Sequence, residues 1–437
     1  MVETTPKSAG LFGWYFNTSL LARIFTGLVL GAVVGITLGY SPDAAETFIG
    51  YAQFFGDLFI RLLKMIVVPV ILFSLIVGAA SISPDQLGRV RLKTILFYVV
   101  TTLISVAVGL GVATLLEPGV GMNVIGSGGA AGKAAQSPPM SQILLNIVPT
   151  NPIESLAKGD VLPIIFFAIV SGIALSLLRE SKNGTVARQA GLLLDVCAAA
   201  AEVIYRIVGG IMQYAPIGVF ALIAVVFARQ GAEALGPLLL VTLSVYIAFI
   251  IHLFVCYGGF LTFSGLSFRR FLKGANEAMV TAFVTRSSSA TLPVSMRVSE
   301  DNLGAPRTIS SFALPIGATV NMNGTAIYIA VCAMFIGFAI GQPLNHSQQF
   351  TVMITATLAA VGTAGVPGAG ALMLIMALES IGLKLEAGSA VAATYAMVLG
   401  IDALLDMGRT CMNVTGDIAG VVVVGKSEKA LDLSKWQ

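Results

Sequence analysis

Residues 312–341 read FALPIGATVNMNGTAIYIAVCAMFIGFAIG, an apolar stretch with a polar centre at Asn321, Asn323 and Thr325. A membrane-spanning helix needs about 20 mostly apolar residues, and the flanks of this stretch are typical of one. In hydrocarbon every backbone polar group must be paired, so irregular backbone survives only where protein or a water-lined cavity covers it. The stretch therefore predicts a membrane protein in which a helix breaks around polar groups that bind a ligand or an ion.

The composition of the whole chain also indicates a membrane protein. Its 437 residues are 56% hydrophobic and 11% charged, with a mean hydropathy of +0.90, whereas soluble domains are about 25% charged. Hydropathy predicts roughly eight spans in one bundle, with no soluble domain large enough to fold alone. The spans before residue 305 are 20–40, 48–79, 94–116, 160–178, 202–227 and 236–263.

Lysines and arginines are concentrated in alternate loops. The clusters lie at 89–93, 179–188, 269–273 and 426–435. Loops between them, such as 41–46, are poor in these residues. By the positive-inside rule the clusters are cytoplasmic, which predicts a multi-pass protein of the cell membrane with both termini in the cytoplasm. The N-terminus lacks the pattern of a cleaved secretory signal.

Small and polar residues interrupt the hydrophobic pattern at three places in the second half of the chain, 285–293, 317–326 and 359–371. The first and third combine small residues with a proline between apolar flanks. This pattern predicts helical hairpins whose tips enter the membrane from opposite sides. The alternative is a glycine-rich packing interface between ordinary helices. In the first half, residues 117–140 are rich in Gly, Ala, Ser and Pro and predict an extracytoplasmic linker.

The last apolar segment, YAMVLGIDALLDMGRTCMNVTGDIAGVVVV (395–424), carries its long polar side chains on one face. At about 100° per residue they fall within an arc of roughly 80°. They are Asp402, Asp406, Arg409, Asn413 and Asp417. Ionisable groups inside a membrane are costly and mark substrate or ion pathways. Internal ion pairing is the alternative, but three aspartates face one arginine, so the surplus negative charge needs protons, sodium ions or an amino group.

Arg409 restricts the kind of ligand that this face would bind. A guanidinium is a rigid fork that grips a carboxylate through two hydrogen bonds. Asp406, about one turn away, could accept an ammonium group. Amides at the hairpin tips and at half-helix ends suit a second carboxylate. Together these groups predict an amino acid with an acidic side chain as the ligand.

Several motifs resemble the signatures of one family. RSSSATLP, NMNGT, GTAGVPGAG and DMGRTCMNVTGD, with NIVPTNP and YAPIGVFALIA, look like those of the glutamate transporter family, the dicarboxylate/amino acid:cation symporters. The resemblance covers nearly the whole chain and suggests a prokaryotic aspartate/glutamate transporter homologue. It implies an all-α polytopic homotrimer in membrane lipid. Each chain would have eight transmembrane helices, two re-entrant helical hairpins, inverted repeats and an elevator mechanism.

The resemblance also implies a division into a scaffold and a moving transport domain. Helices one, two, four and five would form the trimerisation scaffold, and helices three, six, seven and eight with both hairpins the transport domain. The implied boundaries are 1–90 for the N-terminal tail and scaffold helices one and two, and 91–118 for helix three. The extracellular linker and helices four and five would occupy 119–230, and the remaining transport domain with a cytoplasmic tail 231–437.

The resemblance assigns substrate contacts residue by residue. The first hairpin tip would offer backbone and hydroxyl groups, Asp406 would bind the ammonium group, and Arg409 would bind the side-chain carboxylate. The second tip would act as the extracellular gate. The full set of implied substrate-binding residues is Ser287, Ser288, Ser289, Thr325, Val366, Gly370, Asp406, Arg409, Thr410 and Asn413.

Three sodium sites follow from the same resemblance. The first would comprise Gly317, Asn321, Asn413 and Asp417, and the second backbone carbonyls at Thr319, Ala360, Val361 and Thr363. The third would combine Tyr98, Thr101, Thr102 and Asn321 with the aspartate of an NMDGT motif, where this chain has Asn323. An amide keeps an oxygen ligand but removes a full negative charge. The hypothesis is a weakened or absent third site, and the alternative is that a neighbouring carboxylate or water compensates.

The sequence thus predicts a secondary active symporter for L-aspartate, L-glutamate or both, coupled to Na⁺ without an organic cofactor or a nucleic-acid partner. Proton coupling, with Asp402, Asp406 or Asp417 as the protonated group, is the main competitor. A C4-dicarboxylate symporter and an anion channel are further alternatives. An enzyme is disfavoured, because no nucleophile–base pair, metal constellation or phosphate-binding loop is found.

Overall fold

The structure, a computed structural model, describes residues 18–80, 88–122, 124, 145–360, 365, 367–386 and 388–436, with the side chain of Leu21 left out. The described residues form helices joined by turns, and no strand occurs among them. An all-helical chain is therefore confirmed over these ranges.

The described residues before position 231 form six α-helices. They are α1 (Leu20–Gly39), α2 (Pro42–Ala80), α3 (Arg89–Leu116), α4 (Pro152–Lys158), α5 (Val161–Arg179) and α6 (Gly184–Gln230). Side-chain caps begin several of them: Asn151 and Asn183 each accept hydrogen bonds from the backbone N–H groups of the first turn, which would otherwise lack partners.

Nine α-helices follow among the described residues of the second part. They are α7 (Leu235–Ile251), α8 (Gly258–Phe263), α9 (Phe268–Thr285), α10 (Ser288–Arg297), α11 (Arg307–Val320), α12 (Asn323–Ala339), α13 (His346–Ala360), α14 (Ala369–Ser380) and α15 (Ala390–Ser427). A π-helical turn, His252–Tyr257, joins α7 to α8. The predicted break in 317–326 is confirmed, because α11 ends at Val320 and α12 begins at Asn323.

Helices α1, α2, α5 and α6 pack on one another as one group. Three glycines on one face of α1, Gly27, Gly31 and Gly35, lie against the backbone of α6 so closely that a β-carbon would collide with it. Small residues permit this close approach of helix backbones, which is how membrane helices gain packing contacts in the absence of a hydrophobic driving force. These four helices are the ones that the resemblance assigns to the scaffold.

Helices α12 and α15 form the centre of the second group, where they contact α3, α7 and each other. In the most apolar 18-residue segment of Arg307–Ala339, 94% of the residues are buried, whereas 28% are buried in Ala22–Gly39. A helix that is buried on all sides carries polar groups only where protein partners satisfy them. The break between α11 and α12 is therefore enclosed by protein.

Both predicted hairpin segments form helix pairs. Helices α9 and α10 are joined through Arg286, whose φ of 54° is left-handed, and α13 and α14 pack together. The second tip is described only at Gly365 and from Pro367 onward. The two tips touch, since the Ser287 hydroxyl donates a hydrogen bond of 2.7 Å to the Gly365 carbonyl.

Seven stretches of the described residues are long and apolar enough to cross a membrane. One of them, Gly184–Phe263, spans 80 residues and contains both α6 and α7, separated by a short 3₁₀ turn at Gly231–Ala234. The count of eight transmembrane helices stays a prediction. The two helix groups pack against each other where α15 contacts α1 and α6 and where α14 contacts α2. A polar contact joins them at Lys64 of α2, whose ammonium lies 3.2 Å from Glu379 at the end of α14 and donates to the Leu385 carbonyl.

Candidate substrate and cation site

The polar face of α15 is buried in the centre of the second group. Its five predicted residues all lie in α15, and each is at most 4% exposed. The face is directed at the break between α11 and α12 and at the second hairpin, because its hydrogen bonds reach Asn321, Gly324 and Gly368. The helical spacing of these residues thus brings charge and amide groups to the points where backbone is irregular.

Arg409 forms ion pairs with two aspartates of its own helix. Its Nη1 lies 3.1 Å from Asp402 Oδ1, and its Nη2 lies 2.7 Å from Asp406 Oδ1. The guanidinium also stacks on the ring of Tyr328, with 4.5 Å between its central carbon and the ring centroid. The internal ion pairing considered as an alternative is thus present at this end of the face. Two carboxylates share one arginine, which leaves a formal charge of minus one.

Asp406 links this cluster to the second hairpin. Its Oδ2 accepts a hydrogen bond of 3.3 Å from the Gly368 amide, and its Oδ1 accepts one from the Thr410 hydroxyl. On the next turn of the hairpin helix, a β-carbon at Gly370 would lie inside the contact distance of Arg409 Nη1. The start of α14 can approach the guanidinium this closely because residue 370 has no side chain.

Most of the predicted substrate residues surround one small cavity. Its lining includes Ser288, Thr325, Gly370, Asp406, Arg409, Thr410 and Asn413, and also Arg286 and Met322. Ser287 and Ser289 lie instead at the contact between the tips, where both bond the Gly365 carbonyl. Val366 lies outside the described residues. The free space is about 10 Å³, roughly the least that holds one water, so an amino acid fits only if Arg409 or the hairpin moves.

Three of the four residues assigned to the first sodium site lie together. Asn321 Nδ2 donates to Asp417 Oδ1 over 2.9 Å, and a β-carbon at Gly317 would touch the same oxygen. Among the described residues Asp417 takes part in no ion pair. Within the described part of the chain, the hydrogen-bond donor to this buried carboxylate is the amide of Asn321.

Asn413, the fourth residue, points elsewhere. Its Oδ1 accepts hydrogen bonds from the Gly324 and Thr325 amides, at 2.7 and 3.4 Å. These amides belong to the first turn of α12, whose N–H groups have no partner within the helix. Asn413 thus caps α12 from a different helix. Its amide nitrogen lies 3.3 Å from the Thr325 hydroxyl, on the side of the substrate cavity.

The residues assigned to the second sodium site are described only in part. Ala360 is buried at the end of α13, and the Thr319 hydroxyl donates to the Ile316 carbonyl. Val361 and Thr363 lie outside the described residues. The predicted carbonyl ligands beyond α13 therefore stay a prediction.

The residues assigned to the third sodium site are close together and already bonded. The Thr102 hydroxyl donates to Asn323 Oδ1 over 2.7 Å, and Thr101 lies 3.5 Å from Asn321 Oδ1. The Tyr98 hydroxyl donates to the Ala313 carbonyl. All of these side chains are buried.

Two buried tyrosines at this site escaped the sequence prediction. Tyr328 lies under Arg409, and Tyr257 accepts a hydrogen bond from Asn323. A tyrosine in an apolar segment is a usable signal, because its hydroxyl needs a partner when the ring is buried. The sequence alone does not say which polar group that partner is.

Comparison with known proteins assigns the chain to a family. A family model described as the Sodium:dicarboxylate symporter family matches residues 20–427. The chain belongs to this family. The symporter is 35% identical over 423 residues to the proton/sodium-glutamate symport protein of Geobacillus stearothermophilus, covering 95% of this chain and 94% of that one.

Other relatives of the symporter differ in their named substrates. It is 34% identical over 430 residues to the proton/glutamate-aspartate symporter of Escherichia coli K12, covering 95% and 94% of the two chains. It is 31% identical over 421 residues to a C4-dicarboxylate transport protein of Paracidovorax citrulli, covering 94% and 89%. The family and these relatives are transporters, so the symporter is a transport protein and not an enzyme.

Proposed function

We propose that the symporter takes up an acidic amino acid, L-aspartate, L-glutamate or both, together with Na⁺. The observation that carries this proposal is the buried cluster of Arg409, Asp402 and Asp406 beside the second hairpin. A guanidinium held between two carboxylates can exchange one of them for a substrate carboxylate, and the released aspartate can then bind a substrate ammonium. A dicarboxylate without an ammonium group would leave that aspartate unpaired.

The proposal of sodium as the coupling ion rests on the surroundings of Asp417. Hard cations prefer oxygen ligands, and Asp417 Oδ1, Asn321 and the backbone at Gly317 lie together in a buried place. A buried carboxylate without a cationic partner is unfavourable. A bound sodium ion would supply the missing positive charge, with Asn413 turning toward it as a further ligand.

We further propose that α1, α2, α5 and α6 act as the scaffold of a homotrimer and that the remaining long helices move as an elevator. The packing of the helices into two groups supports this division. The groups also contact each other, α15 with α1 and α6 and α14 with α2, and Lys64 of α2 bonds Glu379 and the Leu385 carbonyl. In the elevator these contacts between the groups would slide, while the contacts within each group would persist.

The test is binding of L-aspartate, L-glutamate and succinate to purified symporter by calorimetry, across sodium concentrations and at mildly acidic and mildly alkaline pH. We expect the affinity for aspartate or glutamate to rise steeply with sodium and to change little with pH. Succinate, which has two carboxylates and no ammonium group, should bind far more weakly. Equal binding of succinate would show that Asp406 does not select an ammonium.

Proton coupling is the second candidate, and the surroundings of Asp417 favour it as well. A proton on this buried carboxylate would remove its charge as effectively as a bound cation. Two relatives, the proton/sodium-glutamate symport protein and the proton/glutamate-aspartate symporter, are named for protons. An affinity that ignores sodium and strengthens at acidic pH would select this candidate. Uptake against a gradient in vesicles would distinguish either symporter from an anion channel.

A further inference from the structure

Asn323 is the centre of a buried chain of hydrogen bonds. Its Oδ1 lies 2.7 Å from the Thr102 hydroxyl, whose one proton is shared between this oxygen and the Tyr98 carbonyl, also at 2.7 Å. Its Nδ2 donates to the Tyr257 hydroxyl over 2.8 Å. The Tyr257 hydroxyl in turn donates to the Met412 carbonyl over 3.2 Å. Thr102, Asn323 and Tyr257 are all at most 2% exposed. The chain of bonds connects four segments, α3, α12, the π-helical turn before α8, and α15.

An amide at position 323 lets Tyr257 keep both of its hydrogen bonds. A tyrosine hydroxyl has one proton to donate, and here the Met412 carbonyl receives it. The hydroxyl oxygen can then only accept, and the amide of Asn323 supplies the N–H. An ionised aspartate has no proton to offer. With aspartate at 323, Tyr257 would have to turn its proton toward the carboxylate and leave the Met412 carbonyl without this bond.

The bonded groups carry no charge that could hold a cation. Thr102, Asn323 and Tyr257 are neutral donors and acceptors, and the nearby carboxylate, Asp417, is the one assigned above to the proposed sodium ion. Sodium in a buried site loses most of its hydration and needs several oxygen ligands, with a negative charge among them or close by. The oxygen of Asn323 is engaged with Thr102 and that of Tyr257 with two partners. The residues present therefore do not fit a cation at this position.

The geometry points to a hydrogen bond that takes the place of an ion. The bond from the Asn323 amide to the Tyr257 hydroxyl, here called the Asn323–Tyr257 bridge, replaces a third coupling cation. This inference rests on the proposed function, a cation-coupled symporter with one cation near Asp417. Where a carboxylate at 323 would be neutralised by an ion that arrives with each substrate, the amide is satisfied permanently by Tyr257. The symporter then moves one cation fewer per substrate than it would with aspartate at this position. Tyr257 is a positioning residue that holds α12 against α15.

The experiment compares two substitutions of one residue. Asn323→Asp introduces the carboxylate, and Asn323→Ala removes the amide. Reconstituted in proteoliposomes, each variant is assayed for the charge moved per L-aspartate from its reversal potential, and for the steepness of the sodium dependence of aspartate binding. We expect Asn323→Asp to move about one elementary charge more per substrate than the native chain, by the simple count of one added cation. We expect Asn323→Ala to move the same charge as the native chain.

Stability provides a readout of the bridge that is independent of transport. Tyr257→Phe removes only the hydroxyl, and we expect it to lower Tm while leaving the charge per substrate unchanged. Tyr214→Phe is the matched control, because its hydroxyl donates to a carbonyl, that of Phe55, away from the site. A buried donor left unsatisfied costs more than an exposed one, so the decrease in Tm should be larger for Tyr257→Phe.

Two results would overturn the inference. One is an Asn323→Ala variant that moves one charge fewer, which would make Asn323 a cation ligand. The other is an active Asn323→Asp variant with the native charge and sodium dependence. If the Asn323→Asp variant is inactive, the charge that the Asn323→Ala variant moves per substrate still tests the inference. Failure of the proposed function is a separate outcome, since it is read from the native chain as binding of L-aspartate that ignores sodium.

Discussion

The two ends of the polar face of α15 balance their charges in different ways. At one end, the arginine cluster (Asp402, Asp406 and Arg409), two carboxylates are paired with a guanidinium. At the other end, the amide cluster (Asn321, Asn323 and Asp417 with Tyr257), the carboxylate accepts a hydrogen bond from the amide of Asn321 and has no other partner among the residues that the structure describes. The second amide is bonded to a tyrosine. Both ends are buried to the same degree.

The difference indicates what each end can do with a ligand. In the arginine cluster both carboxylates already have the guanidinium as a partner, so a ligand with both an anionic and a cationic group can exchange with these internal pairs. In the amide cluster the charge of Asp417 is unpaired, so a cation must be added to it rather than exchanged. A zwitterionic substrate suits the first end and a small cation the second.

The largest effect is expected from Arg409→Gln. The substitution leaves Asp402 and Asp406 without their cation and removes the partner proposed for the substrate carboxylate. Loss of one partner of a buried charge pair costs about 2–5 kcal/mol, so we expect L-aspartate affinity to fall at least roughly 30-fold, by about tenfold per 1.4 kcal/mol. Calorimetry with L-aspartate and a neutral amino acid, L-serine, measures the change in preference.

The control for this substitution is Arg297→Gln, because Arg297 forms an ion pair with Glu277 that is about half exposed. Exposed pairs contribute little, so this variant should bind L-aspartate as the native chain does. If Arg409→Gln bound L-aspartate with native affinity, the arginine cluster would be a structural pair and not the substrate site.

The second effect in size is expected from Asp417→Asn, which changes the amide cluster alone. The substitution keeps the shape of the side chain and removes the only charge there. We expect the sodium concentration that supports half-maximal aspartate binding to rise by an order of magnitude or more, in keeping with the strength of charge interactions in a low dielectric. A titration of binding against sodium measures this shift.

Asp301→Asn is the matched control for Asp417→Asn, because Asp301 is an exposed aspartate in the turn after α10. The sodium dependence of aspartate binding in the Asp301→Asn variant should equal that of the native chain. A native sodium dependence in Asp417→Asn would place the cation elsewhere and would remove the distinction drawn between the two ends.

Sequence reasoning was sufficient where a local pattern determines the structure. The arc of polar residues on α15 follows from the helical period alone, and the break at Asn321 follows from small and polar residues within an apolar run. It was insufficient where bonds join distant segments. Asn323 and Tyr257 are 66 positions apart, and Asn413 caps a helix that begins 90 positions earlier, at Asn323 (413 minus 323). Such pairings depend on packing, which no periodicity encodes.

A smaller effect, confined to the arginine cluster, is expected from Gly370→Ala. The added β-carbon would meet Arg409 Nη1, so the guanidinium or the start of α14 must shift. Overpacking of a buried site typically costs about 1–3 kcal/mol, which corresponds to roughly 5- to 150-fold if the strain falls on the bound state. We expect weaker L-aspartate binding and an unchanged sodium dependence, measured in the same titration.

Gly236→Ala serves as the control for the added methyl group, since a β-carbon at Gly236 meets nothing within 4 Å. If Gly370→Ala changed the sodium dependence as strongly as the substrate affinity, the two ends would be coupled through the second hairpin. The conclusion that the arginine cluster and the amide cluster act independently would then be wrong.

The smallest effect is expected at a charge pair beyond the end of α15, where water replaces protein as the surroundings. Glu428 lies 2.5 Å from Lys93 and 3.4 Å from Arg89 of α3. The hydrogen bond from Lys93 and the two positive charges lower the pKa of Glu428 below its ordinary value of 4.5. Because the folded pKa is the lower one, the ionised carboxylate stabilises the fold above pH 4.5. This contribution is lost as pH falls through the lowered value.

Glu428→Gln should therefore lower Tm slightly at neutral pH, less so at high salt, and not at all once the native Glu428 is protonated. Thermal unfolding of both chains across pH and salt measures the difference. Screening by salt is the property that separates this pair from the arginine cluster, whose buried charges salt does not reach. A difference in Tm that persisted at acidic pH would mean that Glu428 acts by packing rather than by charge. At a constant sodium concentration, an aspartate affinity in the native chain that changed with total ionic strength would mean that the arginine cluster is open to water.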